Sequence, residues 1–185
     1  MPACEFPTLE AARVRLRPLV AGDLEDLIAL RGDPETASFQ SWSRFDSAAA
    51  WAMIEDARRS RVDQFGCWAQ GAIARLADDR LIGDLAIHCP REAPEQSELG
   101  FNLMTSERGC GLATEAVDLA VEWLLRERRK QRVFAVTDRR NQPSRRLLER
   151  VGFRAAPEAY RIVFFKGVWE GETVYERLAP LSQRT

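Results

Sequence analysis

Gly109 and Gly111, in the run Arg108-Gly109-Cys110-Gly111-Leu112-Ala113-Thr114-Glu115-Ala116, open the longest helical pattern in the chain. No other stretch limits the fold as strongly. Glycines let the backbone turn tightly and leave its N–H groups uncovered by side chains. The helix that follows adds its own unpaired N-terminal N–H groups and the positive end of its dipole. Together these form a socket for a phosphate or pyrophosphate. The helix is expected from Gly111 to about Lys130, ~30 Å long. Ala113, Ala116, Val117, Ala120 and Leu124 form its buried stripe, with Glu115, Asp118 and Glu122 away from it. The loop has neither the Gly-Lys-Ser/Thr of a P-loop nor the third glycine of a dinucleotide fingerprint, which argues against a nucleotide-binding protein.

Around this loop the chain reads as alternating strands and helices. Arg13 to Arg17 alternates as a strand with one buried face and ends at Pro18. Asp23 caps a short helix, Leu24 to Arg31, which Gly32 and Pro34 stop, and Asp46 or Ser47 starts a second helix that runs to about Ser60. Phe65 to Leu76 and Leu81 to Cys89 form a hairpin turning at Asp78-Asp79, and Ser97 to Met104 is the strand that enters the glycine loop. Arg132 to Thr137 is a core strand. Asn141 caps a helix that tolerates Pro143 and ends at Gly152. Tyr160 to Val168 and Glu172 to Leu178 read as a closing hairpin around Trp169-Glu170-Gly171. The order β-α-α-β-β-β-α-β-α-β-β describes one mixed α/β sheet flanked by helices.

Length and charge narrow the function. A chain of 185 residues suits one domain, expected over residues 11–180, and a net charge of −1 gives no general attraction to nucleic acid or membrane. Met1 to Glu10 does not read as a secretion signal, so a cytoplasmic location is expected. The four cysteines show no CxxC spacing, which argues against a zinc site or disulfide framework; no metal is expected. Arg126 to Arg154 carries a surplus of eight positive charges. These arginines either form a solvated face or, in part, meet an anion held beside the glycine loop.

Three stretches give the chain a likeness to a known family. Arg108-x-x-Gly111-x-Ala113 resembles the Arg/Gln-x-x-Gly-x-Gly/Ala loop of the GCN5-related N-acetyltransferases (GNAT), which holds the acetyl-CoA pyrophosphate. Asn141-x-x-Ser144-x-x-Leu147-Leu148-Glu149-x-x-Gly152-Phe153 is similar to the segment that flanks the pantetheine arm. The third stretch is Lys166-Gly167-x-Trp169 with Val174-Tyr175. With Arg17-Pro18 and Asp33-Pro34-Glu35, the set is similar to the RimJ/RimL-type branch, whose named members acetylate protein N-termini. The resemblance implies a mostly antiparallel, twisted GNAT-like sheet and acetyl-CoA as cosubstrate. It also implies an amine acceptor, either a small molecule or a protein N-terminus, and leaves a homodimer open.

The resemblance also distributes roles. Arg108, Gly109, Cys110, Gly111, Leu112 and Ala113 would hold the cofactor through backbone N–H geometry, and Thr114 would add a hydroxyl contact in the first turn. Asn141 would meet the pantetheine and Ser144 the sulfur, as an acid for the leaving thiolate; many GNAT enzymes carry a tyrosine where this chain has Leu148. Acyl transfer further needs a base and a polarised carbonyl. Glu98, on the strand entering the loop, is the candidate base, and a backbone N–H near Leu103 or Met104 the candidate carbonyl donor. As residues alone, Glu98 also reads as a strand-end carboxylate in solvent, and Asn141 as a simple helix cap. Phe39, Trp42, Tyr160 and Phe165 are candidates for the acceptor pocket, with local packing as the other reading. A non-catalytic acyl-CoA-binding module is the alternative function.

Overall fold

The computed structural model describes residues 5–42 and 44–180, with the side chains of residues 157–161 and 168 outside that description. The strands are Leu9–Glu10 (β1), Val14–Pro18 (β2), Trp68–Arg75 (β3), Leu81–His88 (β4), Gln96–Leu103 (β5), Arg132–Asp138 (β6), Arg154–Phe165 (β7) and Val168–Leu178 (β8). The helices are Leu24–Gly32 (α1), Pro34–Ser38 (α2), Ser47–Arg59 (α3), Leu112–Arg126 (α4) and Gln142–Arg150 (α5). The described strands make one sheet in the order β1-β2-β3-β4-β5-β6-β8-β7.

Neighbouring strands are antiparallel except β5 and β6, which run parallel. That pair touches only through Gln96–Arg132, Ser97–Val133 and Glu98–Phe134. Beyond Glu98, β5 stays with β4 as far as Leu103–Gly83, while β6 stays with β8 as far as Asp138–Glu172. The sheet therefore opens as a V with Glu98 at its apex. Arg132 fastens the closed end, donating to Gln96 Oε1 at 2.7 Å and Glu176 Oε2 at 2.8 Å.

The pleat sends alternate residues to opposite faces. On one face Leu85, Ile87, Leu99 and Leu103 pack against Val117, Ala120, Val121 and Leu124 of α4. On the other, Ala72 and Leu81 pack against Leu27 and Leu30 of α1 and Ile54 of α3. Those helices cover only one end of that face. The register aligns Trp68–His88–Glu98 and Gln70–Ala86–Gly100 across β3, β4 and β5, on the part left open.

Several boundaries differ from the expected ones: β3 starts at Trp68 rather than Phe65, β7 at Arg154 rather than Tyr160, and β8 at Val168 rather than Glu172. Two-residue β1 was too short to show a pattern. Pro34, expected only to stop α1, also begins α2: its ring suits a first helical position, and Asp33 caps the turn by accepting the Thr36 N–H at 3.0 Å. The long helix ends at Arg126 rather than Lys130. Arg129 takes φ 53°, and Lys130, 5% exposed, turns inward to donate to Pro94 O at 2.8 Å. The closing hairpin turns at Lys166-Gly167, with φ 48° and 87°, instead of at Trp169–Gly171. A two-residue turn with both φ positive matches the twist of its strands, and this glycine supplies the second position.

Candidate active site

The glycine loop bridges the tip of β5 and the start of α4. Gly109 and Gly111 both sit at φ 81°, a region that side chains disfavour, and Gly111 is the N-cap of α4. A Cβ added at Gly109 would meet nothing within 4 Å, so the loop backbone is open there. Arg13 braces the loop from outside. Its backbone N–H and Nε reach Glu115 at 2.6 and 2.9 Å, and its Nη1 donates to Cys110 O at 2.9 Å. Arg108 turns its guanidinium inward, to Leu103 O at 3.1 Å, Thr36 Oγ1 at 3.1 Å and the Glu35 carboxylate. Any anion in this loop is therefore met by backbone N–H groups and the helix dipole.

A groove of about 350 Å³ runs from this loop along α5. Gly109, Gly111, Leu112, Ala113 and Thr114 line one side, and Pro143, Ser144, Arg146, Leu147 and Arg150 the other. Among other cations of the basic segment, Arg128 pairs with Asp63, Arg132 with Glu176 and Arg140 with Asp138. Arg146 and Arg150, one turn apart on α5, line the groove itself. Cys110 is exposed and stands outside the lining. Arg108, paired with Glu35, and Glu107 also line the groove, and the loop, the helix end, Arg146 and Arg150 offer donors to a pyrophosphate-bearing ligand.

A second cavity of about 420 Å³ occupies the open face of the sheet and shares Phe39, Gln40, Phe101, Asn102, Asn141 and Ser144 with the groove. The two spaces are continuous through the mouth of the V. Glu98 lines the second cavity, with Oε2 3.6 Å from His88 Nδ1. His88 in turn stacks on Trp68, ring centroids 5.0 Å apart.

Of the two expected carbonyl donors, Met104 is excluded, because its N–H goes to Ile82 O at 2.9 Å. Backbone groups alternate along a strand, so Leu103 presents its N–H to the opposite side, toward the cleft. Asn141 does cap α5, its Oδ1 accepting the Ser144 N–H at 3.2 Å, and both residues line both cavities. Leu148 is fully buried in the core.

Phe39, Trp42 and Phe165 line the second cavity. Tyr160 lies in β7 opposite Thr173, and its side chain is outside the described residues. The sequence reading missed a buried polar chain in the wall. Arg31 bonds Asp84 at 2.5 Å, Asn102 donates to Asp84 at 2.7 Å, and Gln40 donates to Asn102 at 2.8 Å. Trp68 and His88 were missed as well. Their sequence signal is period-2 spacing within strands, but only the register across three strands puts them beside Glu98. Among the described residues no group of three or more His, Cys, Asp or Glu is arranged to hold a metal, and no helix is long and apolar enough to cross a membrane.

Comparison with known proteins agrees with this geometry. The chain is 28% identical over 179 residues to the protein named Probable N-acetyltransferase YjcK of Bacillus subtilis (strain 168), covering 93% of this chain and 97% of that one. Its fold is similar to an acetyltransferase (GNAT family) from Bacillus anthracis, with a TM-score of 0.83 and 18% identity over 93% of this chain and 98% of that one. It is also similar to Mycobacterium smegmatis RimJ in complex with CoA-disulfide, with a TM-score of 0.74 and 21% identity over 90% and 82% of the two chains. The family model for the acetyltransferase (GNAT) domain matches residues 13–154, a span that takes in β2, the glycine loop, α4, β6 and α5. The chain belongs to the GNAT acetyltransferase family and is an acyltransferase.

Proposed function

We propose that this enzyme transfers the acetyl group of acetyl-CoA to a primary amine, by direct attack while both substrates are bound, as a RimJ/RimL-type member of its family. The observation that carries the reading is the V between β5 and β6. It joins the groove at the glycine loop to the open cavity through a mouth lined by Asn141 and Ser144, with Glu98 in the cavity at the closed end of the V. Acetyl-CoA supplies, when bound, an acyl group activated as a thioester.

The chain's own residues supply the rest. Backbone N–H groups of Gly109, Gly111 and the first turn of α4, with Arg146 and Arg150, hold the phosphates. Glu98, ~16 Å back along β5 from Leu103, takes the proton from the acceptor ammonium through intervening water and exposes the nitrogen lone pair. The Leu103 N–H donates to the thioester oxygen as negative charge grows there. The nitrogen then bonds to the carbonyl carbon, the carbon–sulfur bond breaks, and Ser144 gives a proton to the leaving sulfur while the second proton of the nitrogen returns to Ser144 through water. His88, stacked on Trp68, stands beside the Glu98 carboxylate with Nδ1 3.6 Å from Oε2.

Release of free thiol in the presence of amines tests this reading. Glu98→Gln is expected to lower kcat/KM by about 100-fold or more, with acetyl-CoA affinity retained. Wild-type kcat/KM in Glu98→Ala across about pH 6 to 9 contradicts the assignment of the base. Acetyl-CoA binding with no thiol released for any amine or N-terminal peptide favours a non-catalytic binding module.

A further inference from the structure

The geometry points to Gln40 as the residue that orients the attacking nitrogen, its side-chain oxygen accepting an N–H of the acceptor amine in the mouth of the V. This inference rests on the acyl-transfer reading of the same site.

The direction of one hydrogen-bonded chain is the first support. Asp84, 1% exposed, is held by Arg31 with 2.5 Å between Nε and Oδ2. A carboxylate paired with a guanidinium accepts hydrogen bonds and donates none. Asn102, the partner of Asp84 across β4 and β5, must therefore turn its Nδ2 toward it, at 2.7 Å. Asn102 Oδ1 is then left to accept, and Gln40 Nε2 donates to it at 2.8 Å. Reversing the Gln40 amide would set two oxygens against each other. The buried ion pair thus decides, through Asn102, which end of the Gln40 amide is left over. That end is Oε1, to which no described residue donates a hydrogen bond.

Place is the second support. Gln40 lines both the groove and the cavity, as do Phe39, Phe101, Asn102, Asn141 and Ser144. Asn141 Oδ1 already accepts the Ser144 N–H, and Asn102 Oδ1 the Gln40 amide. Gln40 Oε1 is the side-chain carbonyl left for a ligand at this mouth. The chain that sets it starts on the acceptor side, since Asp84 and Arg31 line the cavity and not the groove. An amine attacking a thioester aims its lone pair at the carbonyl carbon and its N–H groups elsewhere. A fixed oxygen that accepts one N–H keeps the lone pair on that line.

The third support is that the backbone around Gln40 is tied on both sides. Lys166 donates to Ala37 O and to Trp42 O at 2.7 Å each. Trp42 Nε1 donates to Arg31 O at 3.0 Å, and the Gln40 N–H to Ala37 O at 3.1 Å. A contact residue held at both backbone and side chain has little freedom left to lose when a substrate binds.

The test measures thiol release from acetyl-CoA with n-butylamine, glycinamide and trialanine, for the wild type, Gln40→Met and Gln40→Glu. Calorimetric titration of each protein with acetyl-CoA accompanies it. Methionine keeps the length of the side chain and removes both polar ends. Glutamate keeps an acceptor and loses the donor to Asn102. Gln40→Met should lower kcat/KM by about tenfold or more, and Gln40→Glu should recover about threefold or more of that loss. Both variants should bind acetyl-CoA as the wild type does. Wild-type kcat/KM in Gln40→Met overturns the inference, and so do equal losses in the two variants, which trace to the tie with Asn102 alone. A matching loss of acetyl-CoA affinity assigns the oxygen to the donor and overturns it as well. Each of these leaves acyl transfer standing. Acetyl-CoA binding without thiol release by the wild type, for all three amines, removes the acyl-transfer reading and this inference with it.

Discussion

At Arg108 the guanidinium joins Leu103 O, Thr36 Oγ1 and Glu35, so the motif's arginine works as a brace between β5 and α2. The same region shows how one carboxylate can hold a short element. Asp33 accepts the Thr36 N–H at 3.0 Å, the Thr36 hydroxyl at 2.8 Å and the Thr105 hydroxyl at 3.2 Å. The Thr36 backbone N–H, followed by its hydroxyl, holds the Asp33 carboxyl below its ordinary value. A folded value below the unfolded one means the carboxylate stabilises the fold above about pH 4. That contribution is lost as pH falls through the folded value. Asp33→Ala should therefore reduce stability by about 1 kcal/mol near neutrality, with the difference from wild type shrinking in urea unfolding at about pH 3. An equal difference at both pH values contradicts this role.

Among the elements, the β7–β8 hairpin closes over the cavity proposed for the acceptor. Phe165 lines that cavity, and Lys166, one residue on, carries the bonds to Ala37 O and Trp42 O. Lys166→Met keeps the apolar stem and removes the donor. It should raise the acceptor KM by about 3- to 10-fold without changing acetyl-CoA affinity, as steady-state kinetics and calorimetry would report. An unchanged KM contradicts the strap.

This hairpin also shows where sequence reading loses power. Its strands were legible from β-rich alternation, whereas its turn depended on a positive φ at a lysine, which composition does not announce. The glycine loop, α4, α5 and the strand holding Glu98 were legible because glycine spacing, capping residues and apolar period are local signals. The wall made by Arg31, Asp84, Asn102 and Gln40 was not, since its bonds join residues distant in the chain. Likewise Leu103 and Met104 could be told apart only once the pairing of β4 with β5 was known.

Taken as a whole, the molecule sets two spaces on either side of one mouth. The glycine loop lines the groove with Arg108, Arg146, Arg150, Glu35 and Glu107, and Glu98 lines the cavity beyond the mouth. Everything in the account depends on the loop holding acetyl-CoA. Calorimetric titration of the protein with acetyl-CoA, beside Gly111→Trp, tests this most directly. The substitution puts a bulky side chain on a backbone at φ 81°, a conformation that side chains disfavour, and so distorts the loop beside the groove. Saturable binding by the wild type and its loss in a variant that still unfolds cooperatively are the predicted results. No binding by the wild type, or equal binding by both, would contradict the account.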